Sequence, residues 1–144
     1  MVYVDTSVLV ALFVNEPMSR AVANWYAACT EELGSAAWCV TEFASALGIK
    51  QRAQQISAGQ GASAWGAFER LCANDLRLLP LEQQDFHQAA KLTRNAAAGL
   101  RAGDALHLAA ERVAGARSIA TLDNQLARGA KRLKIKPLTF VASA

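Results

Sequence analysis

Short apolar runs alternate with longer alanine-rich stretches along this chain, and the alternation predicts how the fold is layered. Val2–Val4 reads as a strand and Thr6–Val14 as a helix. Asn15, Glu16 and Pro17 break that helix and start another, since proline suits a first helical turn, and helical character continues to about Glu32. Gly34 interrupts it. Ala36–Val40 is a second strand candidate of weak propensity, after which Thr41 offers a hydroxyl cap to a helix running to about Gln55. Ser57–Ala73 reads as a helix despite Gly59, Gly61 and Gly66, and Leu76–Leu81 as a strand. Glu82–Ala98 and Ala102–Ala114 are predicted helices that stop at Gly99 and Gly115. Ser118–Leu122 is a strand, Asn124–Arg132 a helix and Ile135–Val141 a final strand, which Pro137 assigns to a sheet edge.

Strands alternating with helices predict an α/β fold. The expected form is a three-layer sandwich in which helices flank a mostly parallel central sheet of about five strands. A helical pair separates the second strand from the third. The length suits one domain over residues 1–144.

Composition narrows the class. A hydrophobic content of 53% excludes a disordered chain. No segment approaches the ~18–20 apolar residues of a membrane span. The run Val8–Val14 has no basic residue before it and follows Asp5, so it is not read as a signal peptide, and a cytoplasmic location is expected. Cys29, Cys39 and Cys72 are odd in number and form no CxxC pair, which reads as reduced, mostly buried thiols, and the two histidines, neither near a cysteine in sequence, argue against zinc. The net charge is +3, and Arg128, Lys131, Arg132, Lys134 and Lys136 crowd near the C-terminus. That cluster is either a solvated helix end or an edge that contacts phosphate.

The chemistry rests on four acids. Asp5, Glu42, Asp104 and Asp123 lie within apolar or small-residue segments and make up a third of the chain's 12 acidic residues. A carboxylate in such a setting must be hydrogen-bonded, paired or metal-bound. Asp5, Glu42 and Asp123 each follow a predicted strand, and in open α/β sheets functional residues gather beyond the carboxyl ends of the strands. Asp104 opens its helix and joins them if that helix points the same way. Taken singly, each acid also reads as a helix cap. Gathered, two unit charges ~4 Å apart repel by ~4 kcal/mol at an effective dielectric of ~20, more than helix dipoles offset. Protonation or a divalent cation then becomes necessary. An oxygen-only ligand set favours Mg²⁺, with Mn²⁺ able to substitute. Thr6, Ser7 and Thr121 adjoin the acids and offer hydroxyls to orient them. Such a site suits phosphodiester hydrolysis by metal-activated water.

The segments VDTSVLVAL, TEFASAL, LRAGDALHLAA and ATLDNQLA, in that order and spacing, resemble the PIN-domain ribonucleases and above all the VapC-like toxins of type II toxin–antitoxin systems. The resemblance covers nearly the whole chain. It implies that Asp5, Glu42, Asp104 and Asp123 form the acidic quartet that binds Mg²⁺ or Mn²⁺, with Ser7 and Thr121 at accessory hydroxyl positions. It further implies an endoribonuclease toxin, a homodimer, an RNA substrate and a small cognate antitoxin that places a segment in the acidic groove. Ser57–Ala73 is the least family-like stretch.

Other residues are weighed beside these. Arg101 stands three positions before Asp104 and either contacts RNA phosphate or pairs with that acid; Lys131 and Arg132 are further candidates for RNA contact. His107 shares a helix face with Asp104 and reads as a core or supporting histidine, while His87 reads as a surface residue. Trp25, Tyr26 and Trp38 read as core in preference to interface. Two alternative functions remain at this level: a catalytically silent PIN-like module that binds RNA or protein, and a phosphatase using Asp5 as nucleophile, which the lack of a second acid at Ser7 disfavours.

Overall fold

A computed structural model of the protein describes residues 1–142. Its elements run β1 (Val2–Val4), α1 (Thr6–Phe13), α2 (Ser19–Ala28), β2 (Leu33–Ala36), α3 (Trp38–Arg52), α4 (Ala58–Asn74), β3 (Leu76–Leu79), α5 (Gln83–Arg94), α6 (Ala102–Ala114), β4 (Ser118–Ala120), α7 (Asn124–Arg132) and β5 (Lys136–Leu138). A single 3₁₀ turn, Ala96–Ala98, links α5 to α6. The five strands form one sheet in the order β3-β2-β1-β4-β5, and every described pairing is parallel. No helix among the described residues is long and apolar enough to cross a membrane.

Side-chain alternation along β1 builds the three layers. Val2 and Val4 point into a core shared with α1, Val22 of α2, α3 and α4. Tyr3 points to the opposite face, where it packs with Leu108 of α6, Ile119 of β4 and Leu126 of α7. The first core is anchored by Phe43 of α3, whose ring stacks on Phe68 of α4 at a centroid distance of 4.2 Å. Pro137 lies in the edge strand β5, as its missing N–H requires.

The second strand differs from the sequence expectation. It comprises Leu33, Gly34, Ser35 and Ala36, all buried, and Ala36–Val40 is not a strand. Cys39, Phe43 and Leu47 are the buried residues of α3, and their i, i+4, i+8 spacing already carries the helical stripe through that segment. Gly34 is therefore part of the sheet and not a break. A Cβ there would lie 2.8 Å from Met1 Sδ, so the flexible Met1 side chain would have to shift. Thr41 falls inside the first turn of α3, whose N-cap is Ala37 with no side-chain hydrogen bond. Elsewhere the differences are at element ends: α2 begins at Ser19, and α5 stops at Arg94 before the 3₁₀ turn. Ser57 caps α4 in a reciprocal capping box with Gln60, which offsets the glycines that follow. Among the cysteines, Cys39 is buried and Cys29 and Cys72 are partly buried, and all three are free.

Candidate active site

The chain reverses its direction of travel across the sheet at β1. From there β2 and β3 lie to one side and β4 and β5 to the other. Crevices in parallel sheets open beyond the carboxyl ends of the strands at such a point. Here that crevice is a pocket of about 550 Å³. Its walls include Asp5, Glu42, Asp104 and Asp123 together with Ser7 and Arg101.

Asp5 follows β1 directly and is 6% exposed. Its Oδ2 accepts hydrogen bonds from Ser7 Oγ at 2.6 Å and Thr121 Oγ1 at 2.9 Å, and a longer one from the Ser7 N–H at 3.4 Å. The two hydroxyls also stitch the loops together. Ser7 Oγ accepts the N–H of Leu122 at 2.9 Å, and Thr121 Oγ1 accepts that of Asp123 at 3.0 Å. Both hydroxyl positions singled out from the sequence thus meet Asp5, and Thr121 connects it to Asp123.

Asp123 uses its two oxygens differently. Oδ1 caps α7 by accepting the N–H groups of Gln125 and Leu126 at 2.8 and 3.1 Å. Oδ2 accepts from Arg101 Nη2 at 3.2 Å. Asp104 accepts the Arg101 backbone N–H at 3.3 Å in a capping box at the start of α6. That helix does point the same way as the others, which brings Asp104 to the pocket. Burial raises the Asp104 carboxyl above its usual value, the Arg101 backbone bond opposes this, and the charges of Asp123 and Asp5 raise it further. The cap and the pocket readings of these acids are therefore both true of the same side chains.

Glu42 is not a cap. It lies one turn into α3, and its Oε1 accepts Thr6 Oγ1 at 2.8 Å. The same oxygen is hydrogen-bonded to His107 Nε2, which is also 3.4 Å from Asp5 Oδ1. Burial alone raises the Glu42 carboxyl. The hydrogen bond and charge of His107, with help from Thr6 and Trp38, overcome this and hold it below its usual range. Burial alone lowers His107, and the Glu42 bond and the charges of Asp5, Glu42 and Asp104 carry it upward. Both shifts favour an imidazolium–carboxylate pair. On its far side, Nδ1 of His107 lies 2.7 Å from the hydroxyl of Tyr3, which accepts the Ala36 N–H at 3.0 Å. His107 is 1% exposed and Tyr3 is fully buried. His107 is thus more than a core histidine, and the i, i+3 spacing from Asp104 was its signal in the sequence. Tyr3 carried a weaker signal: alternation along β1 turned it away from its valine neighbours.

Gly103 completes the wall. A Cβ there would lie 2.8 Å from Glu42 Oε2 and 3.4 Å from Trp38 Nε1. With glycine there, α6 approaches α3 without displacing the end of the Glu42 side chain.

This arrangement has the form expected of one family, and a family model described as "PIN domain" matches residues 2–132. The chain belongs to the PIN-domain family. Its PIN fold superposes on Mycobacterium tuberculosis VapC20, described as a sarcin–ricin loop cleaving toxin, with a TM-score of 0.73 and 16% identity over 99% of this chain and 98% of that one. FitAcB from Neisseria gonorrhoeae matches at a TM-score of 0.67 and 15% identity, covering 96% and 97%. FitAB bound to an IR36 DNA fragment matches at 0.69 and 16%, covering 96% and 94%. No curated protein sequence matches this PIN domain.

The basic candidates separate in the PIN structure. Arg101 lines the acidic pocket. Lys131 lines an adjoining groove that shares Asp123 with it. Arg132 is tied down, donating from Nη1 to the Ala98 carbonyl at 3.3 Å. His87 is exposed, as expected.

Proposed function

We propose that this PIN domain is a metal-dependent endoribonuclease of the toxin type. The observation that carries the reading is the convergence of Asp5, Glu42, Asp104 and Asp123 on one pocket at the switch point of the sheet. The pocket fits a divalent cation by its donor set. Its carboxylate oxygens are hard ligands that suit Mg²⁺ or Mn²⁺. Oxygens of Asp5 and Glu42 come within 4.8 Å of each other and of a His107 ring nitrogen. When bound, the ion would supply a water of lowered pKa and stabilise charge on the attacked phosphate.

The chain's own residues set up that chemistry. Ser7 and Thr121 fix the Asp5 carboxylate by hydrogen bonds to Oδ2. Thr6 and His107 fix Glu42 in the same way. Asp104 and Asp123 supply the remaining carboxylates from the first turn of α6 and the cap of α7. No side-chain nucleophile is required. RNA as substrate is supported by the likeness to VapC20 and a cognate antitoxin by the likeness of fold to VapC20 and FitAB, while a homodimer rests on the sequence resemblance alone.

The test is cleavage of mixed RNA by purified chain freed of any partner. Cleavage stimulated by Mg²⁺ or Mn²⁺ and abolished by EDTA is expected. Asp5→Asn should lower the rate by roughly 10²–10³-fold with an unchanged circular-dichroism spectrum. Metal-independent cleavage, or full activity in that variant, would remove the metal-site assignment.

A further inference from the structure

The four carboxylates are divided between two basic side chains of the chain itself. The inner pair, Asp5 and Glu42, faces His107, which is 1% exposed and held from behind by Tyr3. The outer pair, Asp104 and Asp123, faces Arg101. Its Nε lies 3.6 Å from Asp104 Oδ2 and its Nη2 3.2 Å from Asp123 Oδ2. These two side chains differ in how firmly they are held. His107 cannot leave without uncovering a buried hydrogen-bonded chain. The Arg101 side chain is 77% exposed, whereas the carboxylates it spans are 12% and 25% exposed. Only its contact with Asp123 has hydrogen-bond geometry.

We propose that Arg101 is a resident counter-ion that a divalent cation must displace from Asp104 and Asp123 when the pocket is loaded. The proposal rests on the metal-dependent reading above. Arg101 is the one cationic side chain among the described residues that line the pocket. Its position is set by the chain just before it. Gly99 adopts the left-handed conformation at φ 67°, and its carbonyl accepts Gln125 Nε2 at 3.0 Å, which pins the approach to α6 onto α7. The guanidinium is thereby delivered over both acids while its stem stays in solvent. A divalent ion offers the same two carboxylates twice the charge. Exposed ion pairs are weak, so the exchange costs little, and it turns the guanidinium out to the mouth of the pocket.

The experiment is Mn²⁺ binding measured by isothermal titration calorimetry on antitoxin-free protein without RNA, which needs no catalysis. Arg101→Met should bind Mn²⁺ about three- to thirtyfold more tightly than the unaltered chain, since two exposed ion pairs no longer compete. Arg101→Lys, which keeps the charge but cannot span both acids, should fall between them. The backbone N–H that bonds Asp104 is untouched in both variants, so the capping box persists. Equal or weaker Mn²⁺ binding in Arg101→Met overturns the proposal and leaves the metal reading standing. No Mn²⁺ binding in any of the folded proteins overturns both.

Discussion

The hydroxyl of Tyr3 lies 2.7 Å from Nδ1 of His107, although 104 positions separate the two residues. The contact extends a hydrogen-bonded line from the Ala36 N–H at the end of β2, through Tyr3 and His107, to Glu42. Burial holds the Tyr3 phenol well above its usual pKa, so the line begins at a neutral hydroxyl. The supporting structure behind the acids therefore crosses the sheet interior and reaches the pocket only at Glu42.

Tyr3→Phe keeps the ring packing and removes that hydroxyl. It leaves the Ala36 N–H and Nδ1 of His107 without their partner in a dry interior. A loss of about 1–3 kcal/mol in urea-unfolding free energy is expected. Metal-dependent cleavage should fall further than this stability change explains, because His107 no longer holds Glu42 in one orientation.

Gly103→Ala tests the approach of α6 to α3. The added methyl meets the end of the Glu42 side chain at 2.8 Å. Glu42 can move aside, so thermal stability should change by no more than ~1–2 kcal/mol. The moved carboxylate leaves the pocket arrangement, and cleavage should drop by at least about tenfold. Unaltered kinetics would mean that the position of Glu42 is not set by Gly103.

Asp123→Asn separates the two jobs of that residue. Asparagine caps helices as well as aspartate does, so the melting temperature should stay within about 2 °C of the parent. The charge that faces Arg101 and the pocket is lost, and Mn²⁺ affinity measured by calorimetry should weaken. Asp123→Ala should lose both cap and affinity, at a stability cost of ~1 kcal/mol.

Glu111 gives a pH dependence. It lies on α6, is 1% exposed, and neither carboxylate oxygen has a hydrogen-bond partner among the described residues. Burial pushes its carboxyl up to about 7, against the opposing charge of Arg112. The folded chain thus keeps a proton that the unfolded chain releases near the ordinary glutamate value. Its contribution is most favourable below pH ~4.5 and is lost as pH rises through about 7. Glu111→Gln should flatten that part of the stability curve, and Glu111→Met should be more stable than the parent at pH 8 by about 1–3 kcal/mol. Urea midpoints at pH 5, 6, 7 and 8 for the three proteins check both statements.

The acids were legible because each stands just beyond, or within one helical turn of, a place where an apolar pattern changes period. Asp5 after Val-Tyr-Val and Asp123 after Ser118–Leu122 needed only the strand-end argument. Glu42 was found on a mistaken local reading. The stretch before it reads locally as a strand, although Cys39, Phe43 and Leu47 stand at helical spacing and belong to α3. The acid still reached the pocket because α3 begins immediately after β2, so a few residues' shift in the strand leaves its turn near the same edge. His107, which reads as a core or supporting histidine, and Gly103, which no sequence pattern singles out, are ambiguous for a different reason. A histidine in an apolar helix and a glycine in a first turn have many ordinary explanations, and only their neighbours from α3 and β1 choose among these.

By itself the sequence determined the layers, because the alternation of short apolar runs with longer helical stripes follows from backbone periodicity and local burial. It also determined which carboxylates stand at the strand ends, since that is a matter of order along the chain. The tertiary structure alone decided how those charges are balanced. Which basic side chain faces which acid depends on the packing of α6 across β1 against α3 and on the turn at Gly99. Apart from the local Arg101–Asp104 pair, these contacts join residues tens to more than a hundred positions apart, and no local pattern encodes their distances. Hence Asp5 and Glu42 meet a buried imidazole, while Asp104 and Asp123 meet an exposed guanidinium.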